Sequence, residues 1–105
     1  MTNFIQISTT FETKEQARDF AKTILDLRLA ACVQINGPIE SHYRWKGSLE
    51  TASEWRCLIK TQTTCMPDLR ACLAGHPYDV PEWIVCPIID GTPEYLDWMR
   101  SVIKR

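Results

Sequence analysis

Residues 30–47 read AACVQINGPIESHYRWKG, and this stretch predicts one long strand of an extended hairpin. Its first half is an apolar run that favours β structure, and alternation of polar and apolar residues resumes after Gly37-Pro38 toward Trp45. Because proline cannot donate to a central ladder, the Gly-Pro pair predicts a bend or bulge within the strand. Residues 50–61 alternate in the same way and supply the returning strand.

The predicted hairpin is too long for a compact domain of this size. About fourteen residues at ~3.3 Å each give a strand of roughly 45 Å, whereas the radius of gyration expected for the chain, about 13 Å, gives a diameter of about 33 Å. The hairpin must therefore bend or protrude. Tyr43 and Trp45 lie toward its far end, and each offers roughly 150 to 250 Å² of largely apolar surface. We expect a neighbouring subunit to cover them.

Before the hairpin, the sequence predicts a strand followed by a helix. Residues 4–9 alternate as a strand does. Thr13 followed by Gln16 is a capping-box pattern, and apolar residues then recur at helical spacing. The pattern predicts a helix from the Thr13 cap to about Leu29.

After the hairpin, a second helix is predicted. Thr63 or Thr64 is expected to cap it, with Pro67 in its first turn and Gly75 at its end. Inward-facing apolar residues lie between these two ends.

The last third of the chain predicts a strand over residues 83–89 and a helix over residues 92–103. Pro87 favours an edge position or a bulge for that strand. The whole order predicts an α+β fold, a ferredoxin-like βαββαβ sandwich with an extra C-terminal helix, as a single domain over residues 1–105. A compact α+β sandwich of another topology is the alternative.

Composition excludes several function classes. The 12 Lys+Arg residues nearly balance the 13 Asp+Glu residues, so the chain lacks the basic excess of a nucleic-acid binder, and no stretch approaches a membrane span. The first residues include neither a basic start nor an apolar run of signal-peptide length. Five widely spaced cysteines with no Cys-x-x-Cys pair argue against a disulfide framework and a thiolate zinc site. We expect reduced thiols and a cytoplasmic location.

Residues 76–82, which read HPYDVPE, form the candidate site. Two prolines stiffen this stretch, which carries an imidazole, a phenol and two carboxylates. His76 follows a helix C-terminus, where unpaired carbonyls would favour imidazolium. We expect it to form a polar cluster with Glu82 and with Lys60 at the sheet edge. Each residue also has a purely structural interpretation. His76 would then be a structural hydrogen bonder, Glu82 a cap or salt-bridge partner, and Lys60 a solvated side chain.

Motifs of common enzymes are absent from the sequence. It contains no glycine-rich phosphate loop, no Gly-x-Ser-x-Gly elbow and no His-x-x-x-His or His-Glu-x-x-His metal pair. We therefore predict a protein that is not an enzyme. The alternative is an enzyme that uses His76 as acid or base, with Glu82 orienting it.

Several segments together resemble the divalent cation tolerance proteins called CutA. The segments are residues 29–33 (LAACV), residues 38–47 (PIESHYRWKG), Glu54, Lys60-Thr61, residues 76–82 and residues 95–98 (YLDW). They run in order through almost the whole chain. The resemblance implies a ferredoxin-like subunit, similar to the PII signalling proteins, that assembles as a tight homotrimer by strand pairing between subunits.

The resemblance also implies a function. Members are linked to divalent metal tolerance and associated with copper binding, and no catalytic reaction defines them. A divalent metal ion such as copper is therefore the implied cofactor, and the chain itself the implied partner. The alternative is a PII-like signalling or scaffold module that binds a protein partner.

The family's recurrent polar and aromatic residues fall on a defined set of positions, which the resemblance places near a cleft between subunits. The set is Tyr43, Trp45, Lys60, Thr61, His76, Tyr78, Glu82 and Trp98. Some bacterial relatives carry a cysteine and a second histidine where this chain has Ser8 and Gly75. His76 is therefore the metal ligand that the resemblance implies, and copper favours several such nitrogen or sulfur donors.

Overall fold

The computed structural model describes residues 2–104. Four strands form one antiparallel sheet, and three α-helices pack around it. The strands are β1 (Phe4–Phe11), β2 (Cys32–Trp45), β3 (Ser48–Gln62) and β4 (Ile84–Pro87). The helices are α1 (Lys14–Asp26), α2 (Met66–Cys72) and α3 (Pro93–Val102). With the strand order β2-β3-β1-β4, the predicted α+β class and ferredoxin-like arrangement with an added C-terminal helix are confirmed.

The hairpin of β2 and β3 protrudes. The molecule measures 45 Å along its longest axis and 25 and 22 Å along the others. The predicted bulge is present, because the register shifts between Asn36 and Ile39 so that Gly37 and Pro38 together oppose Trp55. The Trp55 ring packs so closely that a Cβ added at Gly37 would lie 2.8 Å from it.

Helix α1 begins as predicted and ends earlier than predicted. Thr13 caps it, and Gln16 completes the capping box. The helix stops at Asp26 rather than near Leu29, because Arg28 adopts a left-handed conformation with φ of 58°. The N–H of Leu29 then bonds back across this turn to the carbonyl of Ile24, a Schellman end formed without glycine.

The predicted cap of the second helix is wrong. Residues Thr63–Cys65 form a 3-10 turn, and α2 begins at Met66 without a side-chain cap. If Thr64 were the cap, Pro67 would occupy a position whose N–H the cap should bind, and proline has none. The predicted place of Pro67 in the first turn is confirmed.

The two faces of the sheet are covered differently. The Cys57 thiol contacts the carbonyl of Ala17, so α1 covers the face on which Cys57 lies. Helix α3 covers part of the opposite face, where Arg100 lies 5.2 Å from the Phe4 ring and Tyr95 lies beside Lys60. The hairpin end of this second face is left open.

Lys60 does not lie at the sheet edge, as was predicted. It pairs with Gln6 of β1 and with Cys32 of β2, because β3 is an inner strand. The edge position predicted for β4 is confirmed, although the strand covers four residues rather than the whole of 83–89.

All five cysteines are free thiols, as expected. Between residues 2 and 104, none of the helices combines the length and the apolar character needed to cross a bilayer.

Candidate functional site

The loop of residues 76–82 passes from one face of the sheet to the other. At its start, the His76 ring stacks on Phe11, with ring centroids 4.3 Å apart and an angle of 17° between the planes. Phe11 also packs against Phe20 of α1, so this end of the loop belongs to the α1 face. At its other end, Glu82 accepts a hydrogen bond of 2.6 Å from the Ser8 hydroxyl. Ser8 lies on the opposite face, since side chains alternate along β1.

Both ring nitrogens of His76 are engaged. Nε2 lies 2.9 Å from the carbonyl oxygen of Thr10, and Nδ1 lies 3.1 Å from the backbone nitrogen of Tyr78. A carbonyl can only accept and an N–H can only donate, so the imidazole is neutral, with its proton on Nε2.

Burial controls the protonation of His76. The side chain is only 8% exposed, and this burial lowers its pKa, although the bond to Thr10 and the charge of Glu54 act in the opposite direction. The expectation that helix carbonyls favour imidazolium is therefore wrong. The ring bonds a carbonyl of β1 instead of the end of α2.

A single chain does not supply a metal cage. Among residues 2–104, no three His, Cys, Asp or Glu side chains form a group that could hold a metal ion. Ligation by His76 through Nδ1 would also require breaking its bond to the Tyr78 N–H. The described residues of one chain therefore do not fit a resident metal ion, and metal ligation by His76 stays a prediction.

The open part of the second face forms a cleft of about 570 Å³ between the hairpin and the loop, which we call the hairpin cleft. Four residues of the predicted set line it, namely Tyr43, Trp45, Tyr78 and Glu82. The hairpin supplies the first two and the loop supplies the others. The structure thus brings together half of the predicted site.

Acidic side chains dominate the hairpin cleft. Glu12, Glu54, Asp79 and Glu82 line it together with His42, and no lysine or arginine is among its lining residues. Of these, Glu82 belongs to the predicted set of cleft residues, and Asp79 lies in the candidate stretch of residues 76–82. The uninterrupted alternation of β3 places Glu54 on the same face as Lys60, but no local signal shows that the loop of residues 76–82 reaches this part of the face.

Tyr78 connects the two walls of the cleft. Its hydroxyl donates a hydrogen bond of 2.9 Å to Glu54 on β3. Burial, followed by the bond to Glu54 and the nearby acidic charge, raises the pKa of Tyr78 well above its usual value. The loop is therefore fastened to the hairpin by a neutral phenol.

The other predicted residues lie outside the hairpin cleft. The Thr61 hydroxyl is buried and donates to the carbonyl of Leu29 at 2.6 Å. The ammonium of Lys60 lies 5.6 Å from the Tyr95 ring, which in turn packs on Trp98.

The predicted polar cluster of His76, Glu82 and Lys60 is therefore not formed. His76 bonds to the backbone, Glu82 bonds to Ser8, and Lys60 lies over an aromatic ring beneath α3. In the sequence, His76 follows a predicted helix, Glu82 ends the stretch of residues 76–82 and Lys60 lies near the end of a predicted strand. Their strands and loop carry them to separate places.

Comparison with known proteins identifies the family. The family model described as CutA1 divalent ion tolerance protein matches residues 5–102. The chain belongs to the CutA1 family. The resemblance noted in its sequence segments is thereby confirmed over nearly the whole length.

Relatives in the CutA1 family differ in length. The divalent-cation tolerance protein CutA of Thermus thermophilus is 45% identical over 93 residues, which cover 88% of this chain and 90% of that protein. A CutA homolog of Danio rerio is 39% identical over 92 residues, which cover 87% of this chain but 61% of that protein. The chain thus spans less than two thirds of the fish relative.

Solved CutA1-family structures share the fold. The T. thermophilus protein superimposes with a TM-score of 0.92 at 40% identity, covering 96% of this chain and 99% of that one. A protein described as the periplasmic divalent cation tolerance protein CutA of Archaeoglobus fulgidus gives a TM-score of 0.91 at 34% identity, covering 96% and 99%. The protruding hairpin therefore belongs to a fold shared across the CutA1 family.

Proposed function

We propose that this chain is a non-enzymatic, homotrimeric protein of divalent-metal tolerance that acts in the cytoplasm. In this proposal the hairpin cleft lies between subunits and binds a cationic ligand, either a metal ion or a small molecule. The family description supports the link to divalent ions.

The observation that carries the proposal is the charge of the hairpin cleft. Four acidic side chains line it, and none of its lining residues is lysine or arginine, although the whole chain is nearly neutral. Such a concentration of one sign of charge attracts a ligand of the opposite sign. The cleft therefore favours a cation.

Exposed apolar surface supports self-association. Trp45 and Tyr43 are 40% and 43% exposed on the protruding hairpin, and Leu49 near its tip is 68% exposed. Strands β2 and β4 are both edges of the sheet, and each side chain of β4 is exposed. A chain with open edges and exposed aromatic rings is stabilised when copies of it cover one another.

A metal ion at the cleft would need ligands from more than one subunit. Glu82 already accepts a bond from Ser8, and Glu54 accepts one from Tyr78, so each has only part of its oxygen capacity free. A partner that brings further donors to the cleft would complete a coordination shell. Copper is the ion to test first, because the resemblance links the family to it.

Metal titration of the purified protein tests this proposal. Cu(II) and Zn(II) are titrated into the wild type, into His76→Gln and into the double variant Glu12→Gln/Asp79→Asn. We expect binding to weaken in the double variant. Binding that is absent, or equal in all three proteins, would remove the cleft and His76 from any metal role.

Growth measurements test the tolerance role itself. A host that lacks its own family member is grown in graded copper, with this gene or with its Glu12→Gln/Asp79→Asn variant. Rescue by the wild type alone supports metal tolerance through the cleft. Equal growth with and without the gene would favour the alternative, a PII-like module that binds a protein partner.

A further inference from the structure

The edge of β1 that faces β4 extends beyond the ladder between the two strands. The N–H of Ile88 donates to the carbonyl of Phe4, so the carbonyl of Phe4 and of every second residue after it points toward this edge. Thr10 is one of these residues, whereas the pairing of β4 with β1 ends at Ser8. The carbonyl of Thr10 therefore lies on the edge two residues beyond the end of the ladder.

The His76 side chain occupies this position and supplies a donor to the edge. Its Nε2 lies 2.9 Å from the carbonyl oxygen of Thr10, an ordinary length for a backbone ladder bond. The ring is only 8% exposed and stacks on Phe11 of the core. A buried carbonyl without a donor is destabilising, so the imidazole N–H takes the place of a strand N–H.

The other ring nitrogen fixes the next part of the loop. Nδ1 of His76 accepts a bond of 3.1 Å from the N–H of Tyr78, and the hydroxyl of Tyr78 donates to Glu54 of β3. The imidazole thus joins β1 to the loop and, through Tyr78, to the hairpin. All these partners belong to one subunit, so the arrangement does not depend on which surfaces a neighbouring copy covers.

Metal ligation by His76 conflicts with both bonds. A metal ion binds a lone pair of the imidazole, but Nδ1 uses its lone pair on Tyr78, and Nε2 carries the proton that the Thr10 carbonyl requires. Ligation through either nitrogen would leave one of these two backbone groups without its partner. The ring also lies on the α1 face, opposite the face on which Glu82 bonds to Ser8.

We propose that His76 is a positioning residue rather than the metal ligand that the resemblance implies. It completes the edge of β1 and holds Tyr78 at the wall of the hairpin cleft, and a metal ion bound by the protein leaves its imidazole unligated. Residues behind a binding site commonly orient the groups that contact the ligand. The inference rests on the proposed function only in taking the hairpin cleft as the site that the loop forms.

NMR of the imidazole nitrogens in the metal-free protein tests the two bonds. At neutral pH we expect His76 to carry its proton on Nε2, with an unprotonated Nδ1 and a slowly exchanging N–H. His42, the other histidine of the chain, is exposed and should exchange its ring proton rapidly, and His42→Gln assigns the two sets of signals. A proton on Nδ1 of His76, or exchange as fast as that of His42, would overturn the inference.

Zn(II) added to the same sample distinguishes positioning from ligation. We expect the nitrogen shifts of His76 and the exchange of its N–H to stay unchanged while the backbone amide spectrum reports saturation with Zn(II). Nitrogen shifts of His76 that follow the saturation would show that the residue is a ligand and that the inference is wrong. If Zn(II) changes no signal, metal binding in the proposed function fails, and the metal-free spectrum still decides the role of His76.

The variant His76→Phe tests what the bonds do for the loop. It keeps a ring that can stack on Phe11 and removes both hydrogen bonds, so the N–H of Tyr78 should exchange with solvent about tenfold faster or more. His42→Phe makes the same chemical change at an exposed position and should leave this exchange unchanged. Equal protection of Tyr78 in the two variants would contradict the positioning role. If His76→Phe does not fold, the spectra of the wild type decide.

Discussion

The Nε2–H of His76 donates to the carbonyl oxygen of Thr10 at 2.9 Å, which joins the loop to β1 beyond the last residue that β4 pairs. This bond requires a neutral ring, because the second nitrogen accepts from a backbone N–H. The loop that forms one wall of the hairpin cleft is therefore held by the uncharged form of a histidine.

Stability should fall on mild acidification. The pKa of His76 in the folded chain is lowered below the value of about 6.5 expected in the unfolded chain. The unfolded chain therefore binds the proton more readily, and the free energy of unfolding decreases as the pH falls through about 6.5 toward the folded pKa. Above about pH 7 the contribution of the neutral ring is fully present. Urea unfolding across this range measures the slope.

Two histidine variants show which side chain causes the pH dependence of the free energy of unfolding. His76→Gln removes the titrating group and should flatten the dependence, whereas His42→Gln changes an exposed side chain and should leave it intact. Parallel curves for the wild type and His76→Gln would show that the pH dependence has another source.

The bond between Tyr78 and Glu54 should contribute measurably to stability. Tyr78→Phe removes the hydroxyl and leaves Glu54 without this donor, for an expected loss of about 1 kcal/mol. Tyr95→Phe is the matched control, since the Tyr95 hydroxyl makes no hydrogen bond within residues 2–104. Thermal melting of both variants measures the difference, and equal melting temperatures would mean that the bond contributes nothing net.

Gly37 should not tolerate a side chain. A Cβ there would lie 2.8 Å from the Trp55 ring and 3.0 Å from the carbonyl of Glu54, so Gly37→Ala should displace the ring or the strand. We expect a loss of about 1–3 kcal/mol, the usual effect of overpacking. Gly75→Ala is the control, because a Cβ at Gly75 meets nothing within 4 Å. If Gly37→Ala were as stable as Gly75→Ala, the close packing of the Trp55 ring on Gly37 would be contradicted.

Trp45 should matter more to the assembly than to the isolated subunit. In one chain its side chain is 40% exposed, so truncation would cost little unless a partner covers it. If the proposed trimer buries it fully, Trp45→Ala should lose about 3–5 kcal/mol and weaken association. Sedimentation and melting together measure this. A variant that stays trimeric with unchanged melting would contradict the burial, and Leu27→Ala, at a 52% exposed position, serves as the control.

Most elements of the fold were predictable because their signals are local. The capping box at Thr13 and the alternation of β2 and β3 act within a few residues. The end of α1 was not predictable, since a left-handed Arg28 carries no glycine signal.

The site was half predictable. Tyr78 and Glu82 lie in a stiff loop whose composition is informative, whereas Glu54 joins the site only through the tertiary contact that brings the Tyr78 hydroxyl to β3. Lys60 was misplaced because the order of strands in the sheet, which makes β3 an inner strand, is a tertiary property.

The connectivity of the hairpin also sets the order in which the sheet is expected to fold. Trp45 pairs with Ser48 across a two-residue turn, whereas Phe11 reaches its partner Trp55 only after the whole hairpin has been made. Loop-closure entropy favours the nearer pairing, so the ribbon should nucleate early and provide the template to which β1 docks. A newly made chain would therefore expose the hairpin, with Tyr43 and Trp45, before β1 pairs with β3. We expect the chain to be most prone to aggregation during this interval, because the strand edges are then unpaired.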